Sequence, residues 1–363
     1  MPAPEPESVL CFATKGAGTN EERRILELLA GVQPACYPFD RADKAGNVLR
    51  LLREVRRRRP ALLIMEGTGT AGGLVLLIAR YMFGVPFVVS SGDAVGPFLG
   101  GTRRWAALPG WVYEWLLYRC SAGFIGWTPY LAGRAMTMGA PRAMTAANFT
   151  LHEEVLEDRA ALRARLGIAP GALVLGIVGN LSYNERRGYC YGQELVQALR
   201  RTMRRDLAVL VVGGGSGLDR LAEMAGDDLG HRVFLPGPVP HAEVTSYLAA
   251  MDVGSLPQST DQVGSFRYTT KISEYATARL PFVTGQIPMA YDLVDEWTWR
   301  LPGHAPWSPE YVEALAALME GLDGAAVDAV RARVPAELEV FDLASQRRRV
   351  AAFIGDLVAD HGA

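Results

Sequence analysis

The sequence predicts an α/β protein of two domains, each built on a parallel β-sheet. Short apolar segments alternate with longer segments whose apolar residues recur at helical spacing, which is typical of strands joined by crossover helices. This alternation stops at the charged segment 152–165 and begins again at Ala172. The chain of 363 residues is also too long for one ordinary hydrophobic core.

The composition argues against a nucleic-acid partner and against a structural metal. The formal net charge of −2 gives no reason to expect a nucleic-acid partner. The four cysteines form no CxxC pair and have no zinc-type spacing with histidine, so a reduced protein without a structural metal is expected.

Two further patterns bear on location. The N-terminus reads MPAPEPES, which is acidic and rich in proline and therefore unlike a signal peptide. The most apolar region, Leu62–Val89, is interrupted by Glu66, Arg80 and Pro86, so we expect a β-α-β unit and no transmembrane span. The predicted location is cytoplasmic, and the sequence does not indicate an oligomeric state.

In the first half, three loops follow predicted strands at the edge where α/β sheets bind ligands. They are Lys15–Asn20, Glu66–Thr70 and Ser90–Gly101. Strands are expected at 8–14, 35–39, 61–65, 86–90, 123–127 and 143–149, and helices at 20–30, 45–58, 72–83 and 130–138.

The candidate ligands in these loops are polar groups and glycines. Gly16 and Gly18 would let the backbone approach a phosphate. Glu66 and Thr68 are candidate acceptor ligands, and Asp93 could orient an acceptor hydroxyl or act as its base. The alternative for each carboxylate is a helix cap.

An aromatic segment, Trp105–Tyr118, contains three tryptophans and two tyrosines. It is compatible with a wall for a substrate, a ridge that contacts a membrane peripherally, or ordinary packing. Packing is the favoured interpretation.

The second half contains a segment, Thr269–Gly285, that reads as a capped helix ended by Pro281 and followed by a buried strand. Lys271 and Glu274 share one face near the N-terminus of this helix, where partial positive charge and free N–H groups suit a phosphate. The alternative is a solvated Lys–Glu pair. Further strands are expected at 172–178, 207–212, 233–235 and 253–256, and further helices at 194–203, 242–251, 310–320, 325–334 and 345–358.

The glycine-rich turn GGGSG at 213–217 does not fit a dinucleotide fingerprint. The third glycine of GxGxxG would fall on Leu218, and no acidic residue follows about twenty positions later. NAD is therefore disfavoured.

Four motifs follow one another between Ala172 and Gly285: GNLS…ERRG, VVGGGSG, FLPGPVPHAEVTSYLAAMDV and KISEYATARLPFVTG. In order and spacing they resemble the C-terminal domain of the group-1 glycosyltransferases of the GT-B fold, the retaining kind. The resemblance implies two Rossmann-like domains whose parallel sheets face a central cleft. It implies an acceptor-side domain at 1–150, a nucleotide-sugar domain at 151–344 and a helix at 345–363 that crosses back to the first domain.

The resemblance also implies roles for individual residues. Arg187 would grip the diphosphate of a nucleotide sugar, with Asn184 and Arg186 nearby, and Lys271 would lie in the same site. Glu274 would bind the ribose hydroxyls. The remaining donor contacts would come from Gly16, Gly18, Gly214, Val239, Gly264 and Ser265, and the catalytic residues would be Asp93, Arg187 and Lys271.

Two departures from the family pattern qualify this expectation. The family's first glutamate, eight residues before Glu274, is Phe266 here, and the first domain lacks the family's histidine. No DxD-like pair is present to carry Mg²⁺, so a metal-independent reaction without a cofactor is expected. UDP or GDP is the expected nucleotide of the donor. A non-hydrolysing epimerase and a non-catalytic nucleotide-sugar-binding protein are the alternatives.

Overall fold

The computed structural model describes residues 8–102, 104–149, 155–335 and 338–362 and consists of two compact units. Unit 1 comprises Met1–Phe149, Phe266–Tyr268 and Glu339–Ala363, and unit 2 comprises Thr150–Ser265 and Thr269–Leu338. The acidic N-terminal residues 1–7 and residues 152–154 of the charged segment lie outside the described residues.

Unit 1 is built on a parallel sheet whose strand order is β2-β1-β3-β4-β5-β6 over its described residues. Strands β1, β3, β4 and β5 are buried along their whole length, because helices cover both faces of the sheet. The strands are β1 Val9–Ala13, β2 Ala35–Cys36, β3 Leu62–Glu66, β4 Phe87–Ser91, β5 Gly123–Gly126 and β6 Ala143–Thr145. The helices up to β6 are α1 Asn20–Leu28, α2 Lys44–Arg58, α3 Thr70–Phe83, α4 Val95–Thr102, α5 Ala107–Cys120 and α6 Pro129–Thr137.

Helix α4 occupies most of the segment that the sequence predicts as the loop Ser90–Gly101, so that prediction is wrong from Val95 onward. The reason is a tertiary contact. Glu114 of α5 is buried, and its carboxylate accepts hydrogen bonds from the N–H groups of Val95 (3.2 Å) and Gly96 (3.1 Å). A side chain from a neighbouring helix thus satisfies the N-terminus of a glycine-rich segment that has little helical propensity of its own.

Unit 2 repeats the architecture with the strand order β12-β11-β10-β7-β8-β9, again parallel throughout its described residues. Its strands are β7 Leu173–Val178, β8 Leu207–Val212, β9 Val233–Gly237, β10 Val253–Leu256, β11 Phe282–Gly285 and β12 Thr298–Leu301. Its helices are α7 Arg159–Leu166, α8 Gln193–Leu199, α9 Leu218–Ala225, α10 Val244–Ala249, α11 Thr270–Thr277, α12 Met289–Asp292, α13 Pro309–Gly321 and α14 Gly324–Arg331.

The strand order of unit 2 creates a topological switch point between β7 and β10. The chain passes outward from β7 to β8 and β9, and then returns to the other side of β7 to form β10. The connections that leave β7 and β10 therefore diverge at the carboxyl edge of the sheet, which is where open α/β sheets bind ligands.

The last helix, α15 Leu343–Gly362, belongs to unit 1. Its Val350, Ile354 and Leu357 are buried in one hydrophobic cluster with residues of β1 and α1, including Val9 and Ile25. Among the helices of the described residues, none has the length and apolar content needed to span a bilayer.

We expect Ile354→Ala to lower the free energy of unfolding by about 2–5 kcal/mol, because it opens a cavity in a fully buried cluster. Urea titration followed by circular dichroism measures the change. Asp356→Ala on the exposed side of the same helix is the control and should stay within about 0.5 kcal/mol of the wild type. Equal losses in both variants would show that α15 is not anchored through this cluster.

Candidate functional site

The switch point of unit 2 is lined by the segments that follow β7 and β10. A third segment, the glycine-rich turn after β8, is hydrogen-bonded to the segment that follows β7 and fixes its position. The Leu181 N–H donates to the Gly214 carbonyl (3.0 Å), and the Gly217 N–H donates to the Leu181 carbonyl (2.8 Å). Gly214, a predicted donor ligand, therefore supports the β7 segment through its backbone.

Gly213 shows why this turn needs glycine. Its φ is +143°, a conformation that side chains rarely adopt, and a Cβ there would collide with the Gly179 carbonyl oxygen. The sequence GGGSG is thus explained by close packing of two loops beside the switch point.

Arg187 lies in a turn that Asn184 organises. The Asn184 Oδ1 accepts hydrogen bonds from the N–H groups of Arg186 and Arg187, both at 3.1 Å. The Arg187 guanidinium lies 4.9 Å from the centre of the Trp307 ring and 3.7 Å from an oxygen of Asp261. Asn184 therefore positions the arginine, and Asp261 of the β10 segment brings the two loops together.

Lys271 and Glu274 lie on α11, directly after the β10 segment. The Lys271 ammonium is 5.2 Å from the centre of the Tyr191 ring and lies against Gly179, where a Cβ would be only 3.1 Å from Nζ. Burial lowers the pKa of Lys271 below its usual value, and the nearby Glu274 opposes that shift. The helix begins without a side-chain cap, since Thr269 makes no such hydrogen bond.

Three rings connect the two cations. The Trp307 and Tyr189 ring centres are 5.3 Å apart, and those of Tyr189 and Tyr191 are 6.4 Å apart. Arg187 lies over the first ring and Lys271 over the last, so we call Trp307, Tyr189 and Tyr191 the aromatic row. Unit 2 thus places two cations at the two ends of one row beside the switch point.

The turn after β10 is held by Asp261. Its carboxylate accepts hydrogen bonds from the N–H groups of Val263 (2.9 Å) and Gly264 (2.8 Å), and its carbonyl accepts one from Ser265 (2.9 Å). Burial alone raises the pKa of Asp261, but these hydrogen bonds and Arg187 outweigh it and hold the pKa below its usual value. The backbone N–H groups of Gly264 and Ser265 are thus engaged within the turn.

Phe266, at the position of the family's first glutamate, has a packing role in unit 1. Its ring packs against the hydrophobic cluster that contains Phe12 and Phe124, and the Arg134 guanidinium lies 5.8 Å from its centre. The Thr128 hydroxyl donates to the Phe266 carbonyl at 2.8 Å. The substitution therefore replaces a carboxylate with an apolar anchor.

Two features of the site were missed from the sequence. Gln258 is 7% exposed directly after β10, and within the described residues neither its amide oxygen nor its amide nitrogen has a hydrogen-bond partner. Buried amides are normally paired, so both polar atoms of this one are available to a ligand or to water. Its place just after a strand at the carboxyl edge was the available signal.

The second missed residue is Glu194, which is fully buried on α8. It accepts hydrogen bonds from the hydroxyls of Tyr189 (2.7 Å) and Ser255 (2.8 Å), and the Tyr275 hydroxyl donates to the Ser255 carbonyl (2.7 Å). Burial raises the pKa of Glu194, and the two hydroxyl donors oppose this rise. No sequence pattern marked this contact, because its partners are more than fifty residues apart along the chain.

In unit 1, both predicted acceptor carboxylates have protein partners. Glu66 is fully buried, pairs with Arg24 (2.8 Å) and accepts a hydrogen bond from the Trp127 indole (3.0 Å). Burial raises the pKa of Glu66, and Arg24 opposes that shift. Asp93 forms an ion pair with Arg267, and Thr68 lies partly buried between β3 and α3.

The glycine-rich loop after β1 also uses its own donors. The N–H groups of Gly16 and Ala17 donate to the carbonyls of Ala13 (3.1 Å) and Phe39 (3.0 Å), and the Gly18 N–H donates to the Glu22 carboxylate (2.6 Å). A phosphate here would have to displace Glu22. Val239 lies partly buried after β9, next to Pro238, which packs near Gly214.

Comparison with known proteins gives a family match for part of the chain. Residues 172–322 match the family model described as glycosyl transferases group 1. Over these residues the chain is similar to the group 1 glycosyl transferases. The resemblance carried by the four motifs is therefore confirmed, and the matched range contains the aromatic row and both cations of this group 1 domain.

One curated relative and two solved structures show how far the similarity extends. The chain is 39% identical over 114 residues to the D-inositol 3-phosphate glycosyltransferase of Nocardia farcinica (strain IFM 10152), which is 30% of this chain and 25% of that protein. It therefore spans about a quarter of the length of the curated relative that it matches.

Among solved structures, a sucrose-phosphate synthase from Thermosynechococcus elongatus has a TM-score of 0.68 at 13% identity, over 97% of this chain and 99% of that one. A UDP-forming α,α-trehalose-phosphate synthase from Burkholderia xenovorans, in complex with glucose-6-phosphate, has a TM-score of 0.58 at 13% identity, over 88% and 79% of the two chains. These similarities confirm the expected GT-B fold.

We expect Gly213→Ala to reduce both the stability of unit 2 and its affinity for a nucleoside diphosphate, because the added methyl would push the β7 segment away from the switch point. Thermal unfolding and isothermal titration calorimetry with UDP and GDP measure the two effects. Gly226→Ala is the matched control, since that glycine also has a positive φ, +54°, but has no atom within 4 Å of an added Cβ. The interpretation fails if both variants lose affinity equally.

Proposed function

We propose that this protein transfers a sugar from a nucleoside diphosphate sugar to an acceptor, without a metal ion and with retention of anomeric configuration. UDP and GDP are the nucleotides that we propose first. The observation that carries the proposal is the convergence of Arg187 and Lys271, from the two segments that flank the switch point, on one aromatic row. The motif similarity over residues 172–322 supports the same reaction class.

The chemistry of the leaving group explains why two cations are needed. When the sugar departs, a nucleoside diphosphate gains negative charge that something must stabilise. Arg187 can bind the phosphates through two parallel N–H groups, whereas Lys271 supplies a compact charge at a helix N-terminus. One such donor is typically worth a factor of about 10²–10³ in turnover, so two can stabilise the departing group without Mg²⁺.

We assign the remaining contacts by position. Glu274, on the same face of α11 as Lys271, would accept hydrogen bonds from the ribose hydroxyls, and Val239 would lie along the base. Gln258 would pair its amide with the donor, because both of its polar atoms are buried without a protein partner within the described residues. Gly16 and Gly18 remain proposed phosphate contacts that require Glu22 to release the Gly18 N–H.

The acceptor contacts are proposed with the same reasoning. Asp93 would orient the acceptor or take its proton, and its ion pair with Arg267 keeps the carboxylate in one orientation. Thr68 and Glu66 would contribute from the loop after β3, with Glu66 acting from its pair with Arg24. One relative is named for D-inositol 3-phosphate, and one solved structure of similar fold is in complex with glucose-6-phosphate, which supports a hydroxylated small molecule as the proposed acceptor.

The deciding experiment incubates the purified chain with UDP-glucose, UDP-N-acetylglucosamine and GDP-mannose and follows nucleoside diphosphate release and donor isomerisation. We expect release, reduced about 10²–10³-fold by Arg187→Ala or Lys271→Ala. Arg205→Ala, an exposed arginine elsewhere in unit 2, is the control and should release at the wild-type rate. An isomerised donor would instead show an epimerase, and binding without turnover would show a binding protein; either result would overturn the proposal.

The lowered pKa of Lys271 predicts how nucleotide affinity depends on pH. The ammonium is charged below its pKa, so UDP affinity should fall as pH rises through a value below the ~10.4 of an ordinary lysine. Lys271→Arg should abolish this fall because a guanidinium stays charged, and Lys271→Met should bind weakly at every pH. Calorimetry from pH 7 upward measures the three profiles. If the wild type and the arginine variant have the same profile, Lys271 does not contact the phosphates.

A further inference from the structure

Helix α5 of unit 1 is apolar on both of its sides. Its inner side buries Leu117 and Tyr118. Its outer side exposes five apolar residues at helical spacing, which we call the tryptophan face: Leu108, Trp111, Val112, Trp115 and Leu116. A helix that is apolar all round is normally buried, so the exposure of Trp111 (49%) and Trp115 (37%) indicates that something covers this side.

The tryptophan face continues onto α3, which runs beside α5. The Tyr113 hydroxyl of α5 donates to the Gly69 carbonyl at the start of α3 (3.0 Å), and Tyr81 near the end of α3 is hydrogen-bonded to Cys120 (3.1 Å). The second contact lies further toward the C-terminus of both helices than the first. The two helices therefore lie side by side and run in the same direction. At that end Tyr81 and Met82 are 74% and 73% exposed, which extends the apolar surface.

The end of this surface is bordered by arginines. The Arg59 guanidinium donates to the Phe83 carbonyl (3.1 Å) at the C-terminus of α3. Arg80 and Arg119 lie close to Tyr81: the hydrogen bond with Cys120 raises the pKa of Tyr81, and these two guanidinium groups oppose the rise. The single acid of α5, Glu114, is buried on the other side and paired with Arg134. The surface therefore combines exposed tryptophans with positive charge and carries no carboxylate on α5.

We propose that the tryptophan face lies on the surface of a bilayer that contains anionic lipids. Tryptophan and tyrosine prefer the boundary between headgroups and acyl chains, and arginines beside them bind lipid phosphates. A second copy of this chain fits less well, because the arginine border would meet an equally positive border across a two-fold axis. This assignment goes beyond the proposed sugar transfer and does not depend on it, since no residue of the donor site takes part.

Sedimentation with vesicles tests the proposal on the full chain. Wild type should bind vesicles of phosphatidylcholine with phosphatidylglycerol, bind phosphatidylcholine alone at least about tenfold more weakly, and lose affinity as salt screens the arginines. The double variant Trp111→Ser/Trp115→Ser should lose binding to both at least about tenfold, with unchanged thermal unfolding. Arg80→Gln/Arg119→Gln should lose only the preference for anionic vesicles.

Met203→Ser is the matched control. Met203 is an exposed apolar residue of unit 2, and no other exposed large apolar residue lies next to it in the sequence. It should bind vesicles as the wild type does. Equal binding of the wild type to neutral and anionic vesicles would overturn the proposal. So would a wild-type dimer in light scattering that the double tryptophan variant converts to a monomer while vesicle binding is unchanged.

Discussion

The buried carboxylate of Glu194 is the interaction on which the geometry of unit 2 depends. It accepts hydrogen bonds from Tyr189, at the end of the Arg187 turn, and from Ser255 in β10. The Ser255 carbonyl in turn accepts a hydrogen bond from the Tyr275 hydroxyl of α11. Burying a carboxylate away from water costs free energy unless its oxygens accept hydrogen bonds. This group therefore holds its hydrogen-bond donors at fixed positions. The two cations of the proposed donor site stand on segments that the same carboxylate connects.

The sequence predicted the parts of the fold that local pattern determines. Most strands of the two sheets, the helix at Thr270–Thr277 and the apolar face of the last helix follow from periodicity and from proline and glycine positions. Strand β12 was not predicted, and the predicted side-chain cap of the helix at Thr270–Thr277 is wrong. Helix α4 was missed because Glu114, nearly twenty residues later, satisfies its N-terminus. Contacts made by tertiary structure leave no local trace, which is why Glu194 was also missed.

The candidate site shows the same division between what is local and what is not. Motif spacing selected Arg187, Lys271 and Glu274 as proposed ligands, and these residues lie on the segments that follow β7 and β10. Spacing did not show that Asn184, Gly214 and Gly264 act through their neighbours, because backbone hydrogen bonds decide that. It also treated Phe266 as a missing carboxylate, whereas its ring fills a hydrophobic cluster of unit 1.

The return of α15 to unit 1 has a consequence for how the chain folds during synthesis. The cluster that contains Val9 and Ile25 is completed only when Val350, Ile354 and Leu357 have left the ribosome. Unit 2, which lies almost entirely between these segments, has all of its strands available sooner. The first unit to be translated is therefore the last to be completed, and its partly formed core waits for the end of the chain.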